Sequence, residues 1–399
     1  MMAFSRNLVF LALIGLTALA PACEQFGDRA DPSGKSSSRA YKGHENDADI
    51  GRLVAVYPGL AGSRLDDCRT CHAGREVTIR GLAQLRNPCD TCHFIPFPDT
   101  AVEGVPGSYA ETLNAFGRAY LEGGRSEAAL EALAGIDSDG DGFTNGEEIA
   151  GLHYPGAPTS KPGQPLARVR VLDLAALRAL PVHTQLLLVN SHRQKNDCYS
   201  QYRGVTIADL LRSVGVDPNG VESVTVFSAD GFQRDFSAGE IVGRFADGLF
   251  FGGLDEETLG ADRGFVNYPP DLPVGLENGA PIPHEQRLML AYQRDGGELD
   301  PSSLDPKSGR IDGEGPLRIV LPQSRPGAPD RGSRVSPTEF GDGFDYDESK
   351  DHNAGAMVRA VVALRVNPPP AGFEEFDTMA GGWRILADGE LVIYGAGIE

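Results

Sequence analysis

Positive charge is scarce in this chain. Lysine and arginine number 36 against 56 aspartates and glutamates, a formal net charge of -20. A surface of that sign repels phosphate backbones, so nucleic-acid binding is excluded as a main role. Long apolar runs are almost missing as well. Leu8 to Ala20 is the one nearly continuous run, and it is too short for a comfortable bilayer span, which needs about 20 residues. No serine-hydrolase elbow and no phosphate-binding glycine loop occurs, and Gly252-Gly253 is an ordinary turn signal. Cysteines number only 6, too few for a disulfide framework, whereas 50 glycines and 28 prolines imply many turns. The length allows two domains after a leader, each large enough to bury a core.

What is present begins with that leader. Met1 to Ala22 has a positive start at Arg6, the apolar run, and a small-residue cleavage site at Ala20-Pro21-Ala22, which is the pattern of an export signal. Cys23 follows directly. That placement resembles a bacterial lipoprotein, which implies acylation of Cys23 and a membrane lipid anchor. The lipobox is imperfect, because Leu19 stands one place early; ordinary secretion and an uncleaved anchor are the alternatives. Glu24 to Ser38 is polar, aperiodic and rich in Gly and Ser, so residues 23–43 read as a flexible tether. The expected location is outside the cytoplasm, periplasmic or on the outer membrane.

Four of the six cysteines form two blocks, Cys68-Arg69-Thr70-Cys71-His72 and Cys89-Asp90-Thr91-Cys92-His93, with sixteen residues between them. Each is the C-x-x-C-H signature of covalent c-type haem attachment. The thiols would bond the haem vinyl groups, and His72 and His93 would be the proximal iron ligands. The same cysteines also fit zinc-ribbon spacing. A zinc ribbon has no use for a His after each second cysteine, and an export signal suits haem attachment. The segment resembles a multihaem cytochrome c with two haems, an electron-transfer protein with redox-protein partners.

Candidates for the sixth iron ligand are few. From Cys23 to Gly163 there is no Met, which excludes a Met ligand from this region, and only His44 and His153 remain beyond the proximal pair. Two six-coordinate haems within this region would therefore be bis-His, with lowered potentials. The alternative is a surface histidine and a five-coordinate iron. Residues 44–163 are expected to be a mainly α, loop-rich dihaem domain. Leu53 to Tyr57 is an apolar patch able to cover a haem, and Tyr109 to Gly117 and Ser126 to Ala134 read as helices, the second capped by Ser126.

Residues 137–148 read Asp137-Ser138-Asp139-Gly140-Asp141-Gly142-Phe143-Thr144-Asn145-Gly146-Glu147-Glu148. They match an EF-hand calcium loop position by position. Asp137, Asp139 and Asp141 take places one, three and five, and Gly142 makes the turn at six. The Phe143 carbonyl, Asn145 and the bidentate Glu148 take places seven, nine and twelve. The loop resembles the calcium loops of exported bacterial proteins, which implies a structural Ca2+. The alternative is an acidic turn that never fills.

Residues 165–399 are expected to be α+β around a mixed sheet. Candidate strands are Arg168–Leu172, Thr184–Asn190, Ser223–Ser228, Arg287–Tyr292, Leu317–Leu321 and Met357–Val366. Asp173–Leu180 and Ile207–Val214 read as helices, and a last hairpin is expected at Trp383–Tyr394. The phrases Tyr202-Arg203-Gly204-Val205-Thr206-Ile207-Ala208-Asp209-Leu210-Leu211, Val224-Thr225-Val226-Phe227-Ser228 and Gly315-Pro316-Leu317-Arg318-Ile319-Val320 resemble the molybdopterin-binding domain of sulfite-oxidase-type enzymes. That resemblance implies one cysteine thiolate on molybdenum, and Cys198 is the only candidate; the other reading is a plain thiol. Cys198 lies closer to Tyr202 than the family's ligand would, and the end of Thr184–Asn190, the expected place, has no cysteine. His192, Arg193, Lys195 and Arg203 are candidates to line an anionic-cofactor pocket, or else form a solvated loop. Asp351-His352-Asn353 is a polar loop that reads first as a turn. Two functions follow from these readings. One is an exported dihaem electron carrier; the other is a molybdenum oxidoreductase, with a small-molecule substrate, that passes electrons to its own haems.

Overall fold

The chain is described by a computed structural model over residues 48–61, 63–66, 68–73, 75–79, 82–86, 102–103, 109–192, 194, 196–229, 232–304, 311–332, 339–374 and 385–398. The leader, Cys23, the tether, His44, Cys89, Cys92, His93, Arg193 and Lys195 lie outside these residues. Among the described residues no helix is long and apolar enough to cross a membrane.

The first part is built on short helices, Ala48–Val56, Ala115–Glu122, Glu127–Leu133 and Asn145–Ala150. They meet over a core of Leu53, Leu60, Leu65, Phe116, Tyr120, Leu130, Leu133, Ile149 and Tyr154. Ser126 caps its helix as expected, its side chain accepting from the Ala129 amide. The helix expected over Tyr109–Gly117 is split. A 3-10 turn at Tyr109–Thr112 ends, the chain extends, and the Asn114 side chain accepts from Gly117 N to start a new helix. Asn disfavours helix interiors because its side chain competes for backbone partners, so the run breaks at Asn114.

The expectation of a mainly α first domain is overturned. Strands β1 (Arg75–Ile79), β2 (Leu82–Arg86) and β3 (Val102–Glu103) form an antiparallel sheet in the order β2-β1-β3. Among the described residues helix and strand are nearly equal, 24% and 25%. Three of the five residues of β1, Val77, Thr78 and Ile79, are β-branched and suit a pleated surface better than a helix.

The second part adds β4 (Val169–Asp173), β5 (His183–Val189), β6 (Asp197–Thr206), β7 (Ser223–Ser228), β8 (Gln233–Ser237), β9 (Val266–Asn267), β10 (Met289–Arg294), β11 (Gly297–Glu298), β12 (Ser303–Leu304), β13 (Ile311–Asp312), β14 (Arg318–Val320), β15 (Val361–Asn367) and β16 (Glu390–Gly395). One sheet runs β11-β10-β6-β5, with β14 on β10 and β9 on β6; another runs β4-β16-β15-β7-β8; β12 and β13 form a small pair. β15–β16 and β6–β9 are parallel and the other pairings antiparallel, so the sheets are mixed. A shared core that includes Leu210, Leu211, Val224, Val226, Leu290, Ile319, Leu364 and Ile393 holds these sheets and the helix Ile207–Ser213 together. The expected closing hairpin is replaced by a short helix over Ile385–Asp388 that leads into β16, which pairs with β15 and β4 instead.

The two parts meet at Glu374, which is 2% exposed. Its carboxylate takes both terminal nitrogens of Arg64, and His153 Nδ1 lies 3.2 Å from its Oε2. Residue 374 also forms a parallel bridge with Leu166.

Candidate functional site

The first cysteine block is a seated turn. Cys68–Thr70 is a 3-10 turn, and Thr70 Oγ1 donates to the Leu65 carbonyl at 2.7 Å. The segment Thr112–Asn114 runs antiparallel beside it. Asn114 N donates to Cys71 O at 2.9 Å, Ala73 N donates to Thr112 O at 3.0 Å, and His72 pairs with Leu113. Asn114 Nδ2 donates to the carbonyls of Arg69 and Thr70, both at 3.1 Å. Gly117 allows this approach, since a Cβ there would run into the Cys71 carbonyl oxygen. Arg69 and Arg64 cover the Tyr154 ring at 4.7 and 4.6 Å from its centroid. His72 is 7% exposed, and its Nδ1 lies 2.6 Å from Thr112 Oγ1. An Nδ1 engaged in this way would fix the ring of a ligating imidazole, so the residues present fit a proximal haem ligand. Cys71 is not disulfide-bonded.

His153 is drawn to Glu374, as described above, and its backbone amide donates to the Glu148 carbonyl at 2.7 Å. A carboxylate on one ring nitrogen is the common second-shell partner of a ligating histidine. The same contact also serves as a plain ion pair between the two parts.

The acidic loop gathers its three aspartates. Ligand oxygens of Asp137, Asp139 and Asp141 all lie within 4.8 Å of one another. Gly142 takes φ 99°, a left-handed turn that a Cβ would strain. Thr144 and Glu147 form a capping box that starts the helix Asn145–Ala150 and holds Glu148 inward. Glu148 is fully buried, and neither of its carboxylate oxygens has a hydrogen-bond partner. Asp139 Oδ2, Asp141 Oδ2 and Asn145 Oδ1 are likewise buried without a partner, while Asn145 Nδ2 is anchored to Leu133 O and Ser138 Oγ. Unpartnered buried oxygens on these residues fit Ca2+, whose ligands are oxygens, and are costly without it. Burial, with the charges of Asp139, Asp141 and Asp137 added, pushes the Glu148 carboxyl up to about 8. Asp139 is raised by burial and by Asp141, whereas amides led by Gly142 hold Asp137 low.

In the second part the β5–β6 register sets Cys198 opposite Val189, beside the strand end where the resemblance places a ligand. Cys198 is fully buried and disulfide-bonded. A half-cystine has no thiolate to give a metal. The described residues around this end include two buried acids. Asp197 accepts from Ser191 N, Asp330 N donates to Asp197, and burial raises the Asp197 carboxyl well above its ordinary value. A half-cystine and paired acids do not fit an anionic molybdenum cofactor.

His192 and His352, separate candidates in the sequence, come together as stacked rings with centroids 4.1 Å apart. Tyr346 OH lies 2.9 Å from His192 Nδ1, and His352 Nε2 lies 3.3 Å from Asp330. Arg203 is not part of this group; it is exposed on β6 opposite Thr184, at the other end of β5. Asn353 ties Leu188 O to Leu321 O through its Nδ2, so its loop holds strands together, as the turn reading expects.

Sequence reasoning missed Thr112, Asn114, Glu374, Asp330 and Tyr346. Only Asn114, just before a helical pattern, carried a readable cap signal. Thr112 meets His72 across 40 positions and has no local signature. Comparison of the chain with protein-family profiles, with curated proteins and with solved structures finds no match.

Proposed function

We propose that the chain is an exported electron carrier with two covalent haems c and a calcium-braced first domain. The second domain then serves as a docking and structural module. The observation that carries this reading is the doubled C-x-x-C-H, together with the buried seat that holds its first copy. Haem, when bound, supplies reversible one-electron chemistry. Cys68 and Cys71 offer the thiols for attachment, and Thr112 and the Asn114 cap hold His72 in place. Leu65, Phe116 and Tyr154 keep water from the inner side of the turn. The acidic surface suits basic redox partners, and acylation of Cys23 would hold the carrier at a membrane. The molybdenum reading loses its ligand while Cys198 is a half-cystine.

The test is a visible redox titration of the purified chain, made in a host that attaches haem c. The expected result is a haem c spectrum that bleaches and returns in two one-electron steps. A chain that is colourless after expression in such a host contradicts the reading.

A further inference from the structure

We propose that Thr112 is the positioning residue of the first haem's axial histidine and sets that haem's reduction potential. This rests on the dihaem reading and deepens it. The contact is short and dry: His72 Nδ1 and Thr112 Oγ1 are 2.6 Å apart, and Thr112 is 2% exposed. It is also held rigidly. Residues 71–73 and 112–114 are joined by the Ala73–Thr112 and Asn114–Cys71 backbone hydrogen bonds, and the Asn114 side chain closes the same turn from above.

The direction of the hydrogen bond follows from ligation. An imidazole that gives Nε2 to iron carries its proton on Nδ1, so Nδ1 donates and Thr112 Oγ1 accepts. Donation raises the electron density of the ring and makes Nε2 the stronger base. A stronger donor favours ferric over ferrous iron and lowers the potential. The backbone bonds fix the segment, so the hydroxyl can be removed without releasing it. The contact is to His72 of the first block, so the first haem's potential is the one expected to respond.

The experiment compares wild type, Thr112→Val and Thr112→Ser. Covalent haem is counted by the pyridine haemochrome assay, spin state is read by EPR, and both midpoint potentials come from spectroelectrochemistry. The expected result is an unchanged haem count in all three. One potential rises in Thr112→Val and returns toward wild type in Thr112→Ser, while the other potential stays put. Equal potentials in wild type and Thr112→Val overturn the assignment, as does a Thr112→Ser shift as large as that of Thr112→Val, which would mark a packing role for the methyl. A second measurement needs no variant. Proton NMR of the wild type should show an exchange-protected Nδ1–H on one axial histidine, and rapid exchange at both overturns the proposal. A wild-type chain without covalent haem sinks the dihaem reading and the Thr112 assignment with it.

Discussion

Calcium at a hundredfold excess over its dissociation constant is expected to stabilise the folded chain by about 2.7 kcal/mol, and Glu148→Gln is expected to abolish most of that gain. The argument is electrostatic. In the metal-free fold two carboxylate oxygens of Glu148 are buried without partners among Asp137, Asp139 and Asp141. Gln keeps the shape, removes one negative charge and leaves the cation without its bidentate ligand. The variant should therefore be no less stable than wild type in chelator, and indifferent to added calcium.

The pH dependence follows with its sign. The Glu148 carboxyl is raised from an ordinary 4.5 to about 8 in the metal-free fold. A raised carboxyl binds its proton more tightly when folded, so its contribution is complete below the ordinary value and is lost as pH rises through about 8. In chelator the melting temperature should fall between those limits. Calcium takes the proton's place, so with calcium the fall should flatten, and in Glu148→Gln it should be absent with or without the ion. Identical wild-type melting curves at pH 8 with calcium and with chelator contradict the site.

The double substitution of Cys68 and Cys71 by Ala is expected to cut covalent haem from about two to about one per chain, because thioether bonds need those thiols. The same chemistry bears on Cys198. The chain has 6 cysteines. If four carry haem and Cys23 is acylated, no partner is left for Cys198. The disulfide at Cys198 and full haem attachment with acylation therefore exclude each other. Alkylation of the denatured mature protein decides between them: label at Cys198 marks a free thiol and removes the disulfide as an argument against a metal ligand there. A Cys198–Cys23 disulfide beside two haems would instead show that Cys23 is not acylated. An unchanged haem count in the double variant would end the assignment of the first block.

The acidic loop's shape is local: its clustered aspartates, its turn glycine and its capping Thr144 lie within a dozen residues. The strands β7, β14 and β15 were legible from their apolar, β-branched runs, and Ser126 from its capping chemistry. β6 was not among the expected strands. Asp197 to Gln201 is polar enough to read as a loop, yet Asp197, Cys198, Tyr199 and Ser200 are all buried, Asp197 and Cys198 pairing with β9 and Cys198 to Ser200 with β5. Its polar groups are satisfied from distant segments, which no window of sequence contains. The sheet β2-β1-β3 was missed for a different reason. Its strands β1 and β2 lie between the cysteine blocks, where an α-rich haem domain was expected, although Val77, Thr78 and Ile79 favour a strand. The contacts most telling for function, His72 with Thr112 and His153 with Glu374, join residues 40 and 221 positions apart, and such pairs appear only after folding.

The most direct test of the electron-carrier account is a metal and haem count. The protein should come from a host that both attaches haem c and makes the molybdenum cofactor. Iron and molybdenum are measured by elemental analysis, and covalent haem on the same sample by its pyridine haemochrome. The account predicts about two irons, all of them in covalent haem, and no molybdenum. Zinc without iron would contradict it outright, and stoichiometric molybdenum would return the second domain to catalysis.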